Sequence, residues 1–249
     1  MSTFRELDSY DRVFNFGNYD SSVFLSEYQQ NGGYEALRMA IGNPKQALEE
    51  ICRAGLRGRG GAAFPAGLKL KMMQGNTEKQ RYIVCNADEG EPGTFKDRFI
   101  MNHIPFQLLE GITIAAILAG AENGFVYLRH EYTLAQETIK KSIAEAEAAG
   151  LLGDNILGSE FSLHLKIFSG AGSYLCGEET ALLSSIEGKK GRPRVKPPFP
   201  IESGLWGKPT LINNVETLAN IPSIIAKGSD WYRSLGTEDS PGTKLISLS

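Results

Sequence analysis

Strand-length apolar segments alternate with helix-length segments through the middle of the chain, and this alternation limits the possible folds more than any other feature. Three segments are predicted strands: 81–86, 124–129 and 161–167. Three segments are predicted helices: 104–119, 133–149 and 177–186. Because each predicted strand is followed by a predicted helix, the order favours an α/β fold in which helices cover a mostly parallel sheet in layers.

The N-terminal part of the chain has a weaker pattern. Residues 1–33 contain scattered aromatic residues, which predicts an irregular or helical arm ahead of a main domain at 34–240. Asn43 and Pro44 are typical of the N-cap and first position of a helix, and Gly55 is typical of its end. We therefore expect helices to come before the first strand.

Composition excludes several classes of protein. Lys and Arg number 26 against 29 Asp and Glu, so the formal net charge of −3 gives no overall footprint for nucleic acid. Cys52, Cys85 and Cys176 lie far apart without a CxxC pair, so no metal site is predicted, and sparse thiols suit a reducing cytoplasm. The most apolar stretch, 111–121, is shorter than the roughly 20 residues that span a bilayer, which predicts a buried helix and no membrane insertion. The polar, charged segment 1–12 lacks the apolar core of a signal peptide, so we expect it not to act as one.

A glycine-rich loop at 58–67 is the first candidate for ligand binding. Glycines let backbone N–H groups approach an anionic or planar ligand closely. Gly58, Gly60 and Ala63 match the pattern G-x-G-x-x-A, but a dinucleotide fingerprint must follow a strand, and this loop follows a predicted helix. Nucleotide binding and an ordinary flexible loop both remain open for this segment alone.

Polar residues cluster directly after the first predicted strand. Asn86, Asp88, Glu89 and Glu91 come at the carboxyl end of that strand, where open α/β sheets bind their ligands. Interleaved Pro, Phe, Lys and Arg argue against a metal loop, which needs regularly spaced oxygen ligands. The residues suit hydrogen bonds to ribityl or ribose hydroxyls and to ring N–H groups, and a solvated turn is the alternative.

Two later motifs also combine glycines, charges and aromatic residues. Glu178 and Glu179 open a predicted helix, where acids stabilise the helix dipole or bind a ribose 2′-hydroxyl and so favour NAD(H) over NADP(H). Lys196 and Phe199 lie in a stiff, positive loop at 188–200. This loop suits stacking on a ring near phosphates. A solvated charge run and a nucleic-acid patch are the weaker alternatives.

Five motifs in order carry a resemblance to a known family: GRGGAAFPAGLK, CNADEGEPGTFKDR, GAGSYLCGEET, RPRVKPPFP and GLWGKPTLINNVETLAN. Over about residues 33–249 the chain closely resembles the NADH-binding FMN flavoprotein subunit of respiratory complex I and the diaphorase subunits of NAD-linked hydrogenases and formate dehydrogenases. The resemblance implies a Rossmann-like domain that holds FMN, accepts a hydride from NADH and passes electrons singly to iron–sulfur clusters. It leaves the parent complex and the direction of electron flow open.

The resemblance also implies which residues form the site. Those implied to bind the flavin are Gly58, Arg59, Gly60, Gly61, Lys69, Asn86, Asp88, Glu89, Tyr174, Gly177, Glu178, Glu179, Asn213, Asn214 and Thr217. Those implied to bind NADH are Phe64, Lys69, Glu91, Lys196 and Phe199. Glu91, near the nicotinamide, and Glu179, as a gate against NADPH, are the candidate catalytic residues.

Four positions depart from the family pattern. Ala63 stands where a glycine is usual, which is a mild change if its φ is negative. Met72 replaces an aromatic residue that stacks near the adenine, although a methionine also packs on rings. Ser173 and Ser184 differ from the usual residues of the third motif. None of these changes removes a group expected to hold FMN.

The resemblance implies more protein than the flavin domain. Residues 244–249 read as a strand, and 241–249 are expected to begin a ubiquitin-like domain, after which family members carry a helical domain with a 4Fe–4S cluster. That cluster is expected only in such a C-terminal part or in a partner. The implied partners are a thioredoxin-like 2Fe–2S subunit and further electron-transfer subunits, at a cytoplasmic or membrane-peripheral location. The alternative is a nucleotide-binding scaffold subunit without turnover.

Overall fold

The computed structural model describes residue 13 and residues 24–170 and 177–248 of the chain. Four strands are present in this part: β1 (Tyr82–Ala87), β2 (Asn123–Leu128), β3 (His164–Ser169) and β4 (Thr210–Asn214). The helices that come before β2 are α1 (Leu25–Gln30), α2 (Glu35–Gly42), α3 (Pro44–Ala54), α4 (Ala66–Gln74), α5 (Lys96–His103) and α6 (Pro105–Ala119). The later helices are α7 (Thr133–Ala148), α8 (Glu179–Ile186), α9 (Val215–Lys227) and α10 (Ser229–Arg233).

The four strands form one parallel sheet in the order β3-β2-β1-β4. The chain builds β1, β2 and β3 in one direction and then returns to place β4 on the other side of β1. Cys85 pairs with Asn213 in the register, and Asn86 pairs with Asn214. This confirms the predicted α/β class with a parallel sheet, and it adds β4, a strand that the sequence pattern did not predict.

Two long helices cover one face of the sheet and form the centre of the core. Every residue of α6 is buried, which confirms the predicted buried helix. At Gly111 the backbones of α6 and α9 come so close that a Cβ atom would lie 2.0 Å from the carbonyl oxygen of Leu218. Only glycine allows this approach.

No single helix of the described residues is long and apolar enough to cross a membrane; α5 and α6 meet that test only as a pair bent by 100°.

The opposite face of the sheet has a smaller cover. Leu182 and Leu183 of α8 and Leu205 pack against Val84 and Ile212. Because α8 begins directly beyond the sheet, its first residues lie at the carboxyl end of the strands. The smaller cover therefore leaves this edge of the sheet accessible between α8 and the N-terminal helices.

The N-terminal helices follow the capping signals. The Asn43 side chain accepts a hydrogen bond from the backbone of Gln46, and Gly55 ends α3 at a φ of +67°. Within the predicted arm, residues 25–30 form α1, and Val13 is buried with its carbonyl accepting a hydrogen bond from Gln107. Residues 1–12 and 14–23 of the arm lie outside the described residues.

Two strand predictions need correction. The third strand begins at His164 rather than at Phe161, because the backbone of Leu163 bonds to Gly153 instead of a neighbouring strand. The predicted strand at 244–249 is wrong for residues 244–248, which form no strand. The backbone N–H of Leu245 donates to the carboxylate of Glu216 rather than to a strand. The backbone N–H of Leu245 thus has a buried side chain, and not a neighbouring strand, as its hydrogen-bond acceptor.

A buried carboxylate fixes the N-terminal helices to the core. Glu110, in the middle of α6, accepts hydrogen bonds from the Tyr28 hydroxyl and from the backbone N–H groups of Tyr34 and Leu37 at the start of α2. The carboxylate thus caps α2 from a distant helix. Burial raises the pKa of Glu110 to about 7, against the lowering effect of these hydrogen bonds.

We predict that Glu110 makes the stability of the chain depend on pH. Its pKa is higher in the folded chain than the ordinary 4.5, so the folded state binds the proton more tightly. The resulting stabilisation, about 3 kcal/mol, is complete below pH 4.5 and is lost as the pH rises through 7. In urea unfolding at about pH 5 and pH 8, Glu110→Gln should therefore lose less stability with rising pH than the wild type. Parallel losses in both proteins would contradict this.

Candidate functional site

A cavity of about 500 Å³ opens at the carboxyl ends of β1 and β4. Its volume falls in the range of small-molecule and cofactor sites. Its lining combines glycines, charged side chains and apolar surface: Gly58, Gly60, Ala62, Ala63, Phe64, Lys69, Met72, Asn86, Gly177, Glu178, Glu179, Lys196, Phe199, Pro200, Ile201, Ile212, Asn213, Asn214 and Thr217. Thirteen of these are residues that the resemblance implied for flavin or NADH. The structure therefore gathers residues of all five motifs around one cavity.

Two adjacent asparagines at the end of β4 have different surroundings. The Asn214 amide donates to Asp97 at 2.6 Å, and its oxygen accepts from the backbone N–H of Glu216. By contrast, Asn213 is only 8% exposed, and its Nδ2 atom is buried with no hydrogen-bond partner among the described residues. A buried donor without a partner is costly unless a ligand satisfies it. Asn213 thus has the chemistry of a ligand contact, whereas Asn214 is held by the protein.

The glycine loop forms one wall of the cavity. A Cβ atom on Gly60 would lie 3.1 Å from Cβ of Asn214, so the loop is seated closely against the end of β4. Gly61 has a φ of +106° and does not line the cavity. The replacement of glycine by Ala63 would be mild only at a negative φ. Ala63 instead has a φ of +52°. This left-handed conformation costs an alanine about 1 kcal/mol relative to glycine.

Alternating charges line the opposite wall. Lys196 Nζ donates to Glu179 at 2.7 Å and to Glu178 at 3.0 Å, and Lys69 Nζ lies 3.7 Å from Glu179. Lys69 also donates to the carbonyl oxygen of Ile212. Burial lowers the pKa of Lys69. The two lysines can contact phosphate oxygens at this position. The negative charge of Glu179 lies between the two lysines.

Glu178 and Glu179 differ in what they bind. Glu178 is the N-cap of α8, and its carboxylate accepts hydrogen bonds from the backbone N–H groups of Thr180 and Ala181. Although burial acts in the opposite direction, hydrogen bonds from the Thr180 hydroxyl, the Ala181 backbone and Lys196 lower the pKa of Glu178. Glu178 thus has the helix-stabilising role that the sequence left open. Glu179 instead pairs with Lys69 and Lys196 on the cavity wall.

Five predicted site residues do not line the cavity: Arg59, Gly61, Asp88, Glu89 and Glu91. The Arg59 side chain points away, towards Tyr232. Glu89 is buried and accepts hydrogen bonds from the backbone at the start of α5, and burial raises its pKa. Burial also raises the pKa of Asp88 to about 6, although Arg129 lies 3.8 Å away. Glu91 is exposed, and Tyr174 lies outside the described residues.

Sequence reasoning missed the apolar part of the lining. Ile201 and Ile212 line the cavity with Pro200, and Ala62 adds a small apolar surface beside the glycines. Ile212 belongs to β4, and the segment TLINN carries no alternating pattern that would have identified this strand. The motif KPPFP does mark the loop that brings Pro200 and Phe199 to the cavity.

The basic loop is folded back onto the protein. Arg194 and Lys189 both pair with Glu187, at 2.9 and 2.7 Å, and Lys196 pairs with the acids of the cavity wall. Three of the five cations in this loop therefore have carboxylate partners, which leaves little charge for the nucleic-acid alternative. Ser184 accepts a hydrogen bond from Arg194 Nε, so this departure from the family pattern helps to fix the loop.

The fold and the cavity together define a nucleotide- or cofactor-binding α/β domain, because the site lies where the strand order reverses. A sequence model of the Nuo51 FMN-binding domain family matches residues 51–223, and the chain belongs to this family. One NADH-quinone oxidoreductase subunit of Rhizobium meliloti is 52% identical over 90% of this chain and 54% of its own length. The corresponding subunit of the Escherichia coli NADH-quinone oxidoreductase is 48% identical over 91% of this chain and 52% of its own length.

Hydrogenase subunits are similar to nearly the same extent. The HndC subunit of the NADP-reducing hydrogenase of Solidesulfovibrio fructosivorans is 48% identical over 90% of this chain and 46% of its own length. A solved NAD⁺-reducing nickel–iron hydrogenase in the H₂-reduced state matches with a TM-score of 0.77 and 43% identity, over 82% of this chain and 35% of that chain. The chain thus spans about half the length of the curated relatives it matches. The resemblance derived from five motifs is confirmed.

The residues of the cavity fit a flavin nucleotide. Asn213 offers an unpaired buried donor, and Lys69 and Lys196 offer cations for phosphate oxygens. Gly58 and Gly60 leave the backbone of one wall open to close approach. Apolar side chains supply the surface on which a ring can pack.

We predict that Asn213 contributes to ligand binding and not to folding. Asn213→Leu roughly keeps the side-chain volume and removes a donor that has no partner among the described residues. The free energy of unfolding of the ligand-free chain should therefore stay unchanged or rise by up to about 1 kcal/mol. The affinity for FMN, measured by quenching of flavin fluorescence, should fall about tenfold. Asn214→Leu is the matched control, and it should destabilise the chain. An unchanged FMN affinity in Asn213→Leu would contradict the assignment.

Proposed function

We propose that this chain binds FMN and NADH in the cavity and is the NADH-oxidising module of a larger oxidoreductase. The observation that carries the proposal is the convergence of the glycine loop, Asn213 and the Lys69–Glu179–Lys196 group on one cavity at the switch point of the sheet. Family membership and the names of the relatives support the same function. A flavin, when bound, accepts a hydride from a reduced nicotinamide and returns electrons one at a time.

The residues of the chain would position two ligands and exclude water. Asn213 and the backbone of the glycine loop would hold the flavin, with Lys69 beside its phosphate. Phe64 and Phe199 are exposed at 43% and 49% and line the cavity, so their rings are available for the nucleotide. Because hydride transfer needs no protein acid or base, catalysis in this proposal rests on positioning.

Glu179 is the proposed determinant of NADH over NADPH. Its carboxylate lies between two lysines on the cavity wall, where it would bond ribose hydroxyls and repel a 2′-phosphate. The resemblance implies that Glu91 lies near the nicotinamide, but Glu91 is exposed and does not line the cavity. We therefore place the specificity role on Glu179 and keep Glu91 as a residue to be tested beside it.

Several further features stay proposals for the whole protein. Residues 241–249 would lead into a ubiquitin-like domain that follows the domain at 34–240. A 4Fe–4S cluster in the C-terminal part or in a partner, and a 2Fe–2S thioredoxin-like subunit, would take the electrons. The relatives' names as subunits of oxidoreductases support an assembly of several subunits. The iron–sulfur partners and a cytoplasmic or membrane-peripheral location are part of the proposal.

The test of this function is bleaching of the flavin by NADH. The purified chain, loaded with FMN under argon, should lose its visible flavin absorbance on addition of one equivalent of NADH and recover it with ferricyanide. Glu179→Gln should bleach with NADPH more readily than the wild type. A chain that binds FMN but is not bleached by NADH would support the scaffold alternative, and a chain that binds no FMN would refute the proposal.

We predict that an aromatic residue at position 72 tightens NADH binding. Met72 lines the cavity at 44% exposure, at a position where the resemblance implies an aromatic ring. A ring contact with the adenine adds about 0.5–1.5 kcal/mol, so Met72→Phe should lower the Kd for NADH by about two- to tenfold. Leu68→Phe is the matched control, because Leu68 is exposed one turn earlier in α4 and does not line the cavity. Equal effects of the two substitutions would contradict the prediction.

A further inference from the structure

Arg59 has a buried side chain that leaves the cavity and holds a different part of the protein. Its guanidinium Nη2 donates to the hydroxyl of Tyr232 at 2.8 Å and to the carbonyl oxygens of Thr243 at 3.0 Å and Pro241 at 3.4 Å. The side chain is 4% exposed. Arg59 therefore fastens residues 241–247, which we name the tail segment, behind the glycine loop.

The main chain of the same residue faces the cavity. The Arg59 backbone N–H donates to Oγ1 of Thr217 at 2.8 Å, and Thr217 lines the cavity together with Gly58 and Gly60 on either side of Arg59. Arg59 thus connects two parts of the protein. Its backbone contacts the cavity wall, and its side chain contacts the tail segment. A shift of the tail segment that displaces the guanidinium would move the loop that lines the cavity.

A second connection runs in parallel through Glu216. Its Oε1 atom accepts a hydrogen bond from the Leu245 backbone at 3.0 Å and lies 3.8 Å from Arg59 Nε. Its Oε2 atom lies 3.1 Å from Lys96, which also pairs with Asp97. Asp97 in turn accepts from the Asn214 amide. The tail segment is therefore connected to the glycine loop through Arg59 and to Asn214, at the end of β4, through Glu216, Lys96 and Asp97.

The path of the tail segment is fixed at two more points. Gly242 has a φ of +75°, and a Cβ atom there would lie 2.2 Å from the ring of Tyr232. The backbone N–H of Phe95, at the start of α5, donates to the hydroxyl of Ser247. The segment is thus seated in one specific position although it forms no strand, and the loss of a single contact should have a measurable effect.

We propose that Arg59 is a positioning residue that couples the cavity to the tail segment, so that seating of the tail and binding in the cavity strengthen each other. Coupling of this kind is reciprocal, because both sites bias the same arrangement of the glycine loop. The inference rests on the proposed function only for the choice of FMN as probe. The coupling would make the position of residues 241–247 depend on whether the cavity is occupied.

The sharpest test changes the tail segment and measures hydrogen exchange in the glycine loop. Leu245→Pro removes the N–H that donates to Glu216, and Leu245→Ala is the control that keeps this N–H. In the full chain without ligand, Leu245→Pro should raise the hydrogen-exchange rate of the Arg59 amide about tenfold, whereas Leu245→Ala should change it little. FMN affinity, measured by fluorescence quenching, should fall about tenfold in the proline variant only.

Substitutions of Arg59 give the reverse experiment. Arg59→Met should raise the exchange rate of the Leu245 amide and weaken FMN binding, and Arg59→Lys should restore part of both because an ammonium can still reach one tail carbonyl. An Arg59 amide that exchanges at the wild-type rate in Leu245→Pro would overturn the coupling. A wild-type chain that binds no FMN would refute the proposed function, while the exchange measurements would still decide the coupling.

Discussion

The chain places β4 beside β1, on the side opposite β2, and the cavity opens at the carboxyl ends of these two strands. The rest of the site depends on this arrangement. It brings Asn86 and Asn214, which are paired in the register, to one edge of the sheet. The glycine loop can seat itself there because Gly60 fits against Asn214. The buried α6 and α9 form the support under this edge, with Gly111 allowing their close contact.

Charges near the cavity are divided between structure and recognition. Asp97, Lys96 and Glu216 satisfy one another and hold Asn214, so these buried charges fix the geometry of the wall. Glu178 is occupied by the first turn of α8. The lysines and Glu179 remain at the cavity surface, where a ligand can exchange contacts with them. The motifs contain many charged residues, but most of these residues bind other parts of the protein. Only a few of them are therefore available to bind a ligand.

Local patterns predicted the strands and helices whose residues alternate or carry capping signals, such as α3 between Asn43 and Gly55. They did not predict β4, because TLINN is a short buried strand without alternation, and its pairing with β1 depends on distant contacts. Thirteen of the residues that the resemblance implies for binding line the cavity, and their roles in binding stay predictions; the resemblance could not show that the Arg59 side chain points away. The direction of that side chain depends on Tyr232 and the tail segment, and Tyr232 lies 173 residues away in sequence.

The central claim is that the cavity at the switch point is the flavin site. A crystal structure of the chain grown with FMN tests this most directly. We expect density for the flavin between the glycine loop and the end of β4, with one of its acceptor atoms within hydrogen-bond distance of Asn213 Nδ2. Flavin bound elsewhere on the chain, or an Asn213 amide that stays without a partner beside the bound flavin, would contradict it.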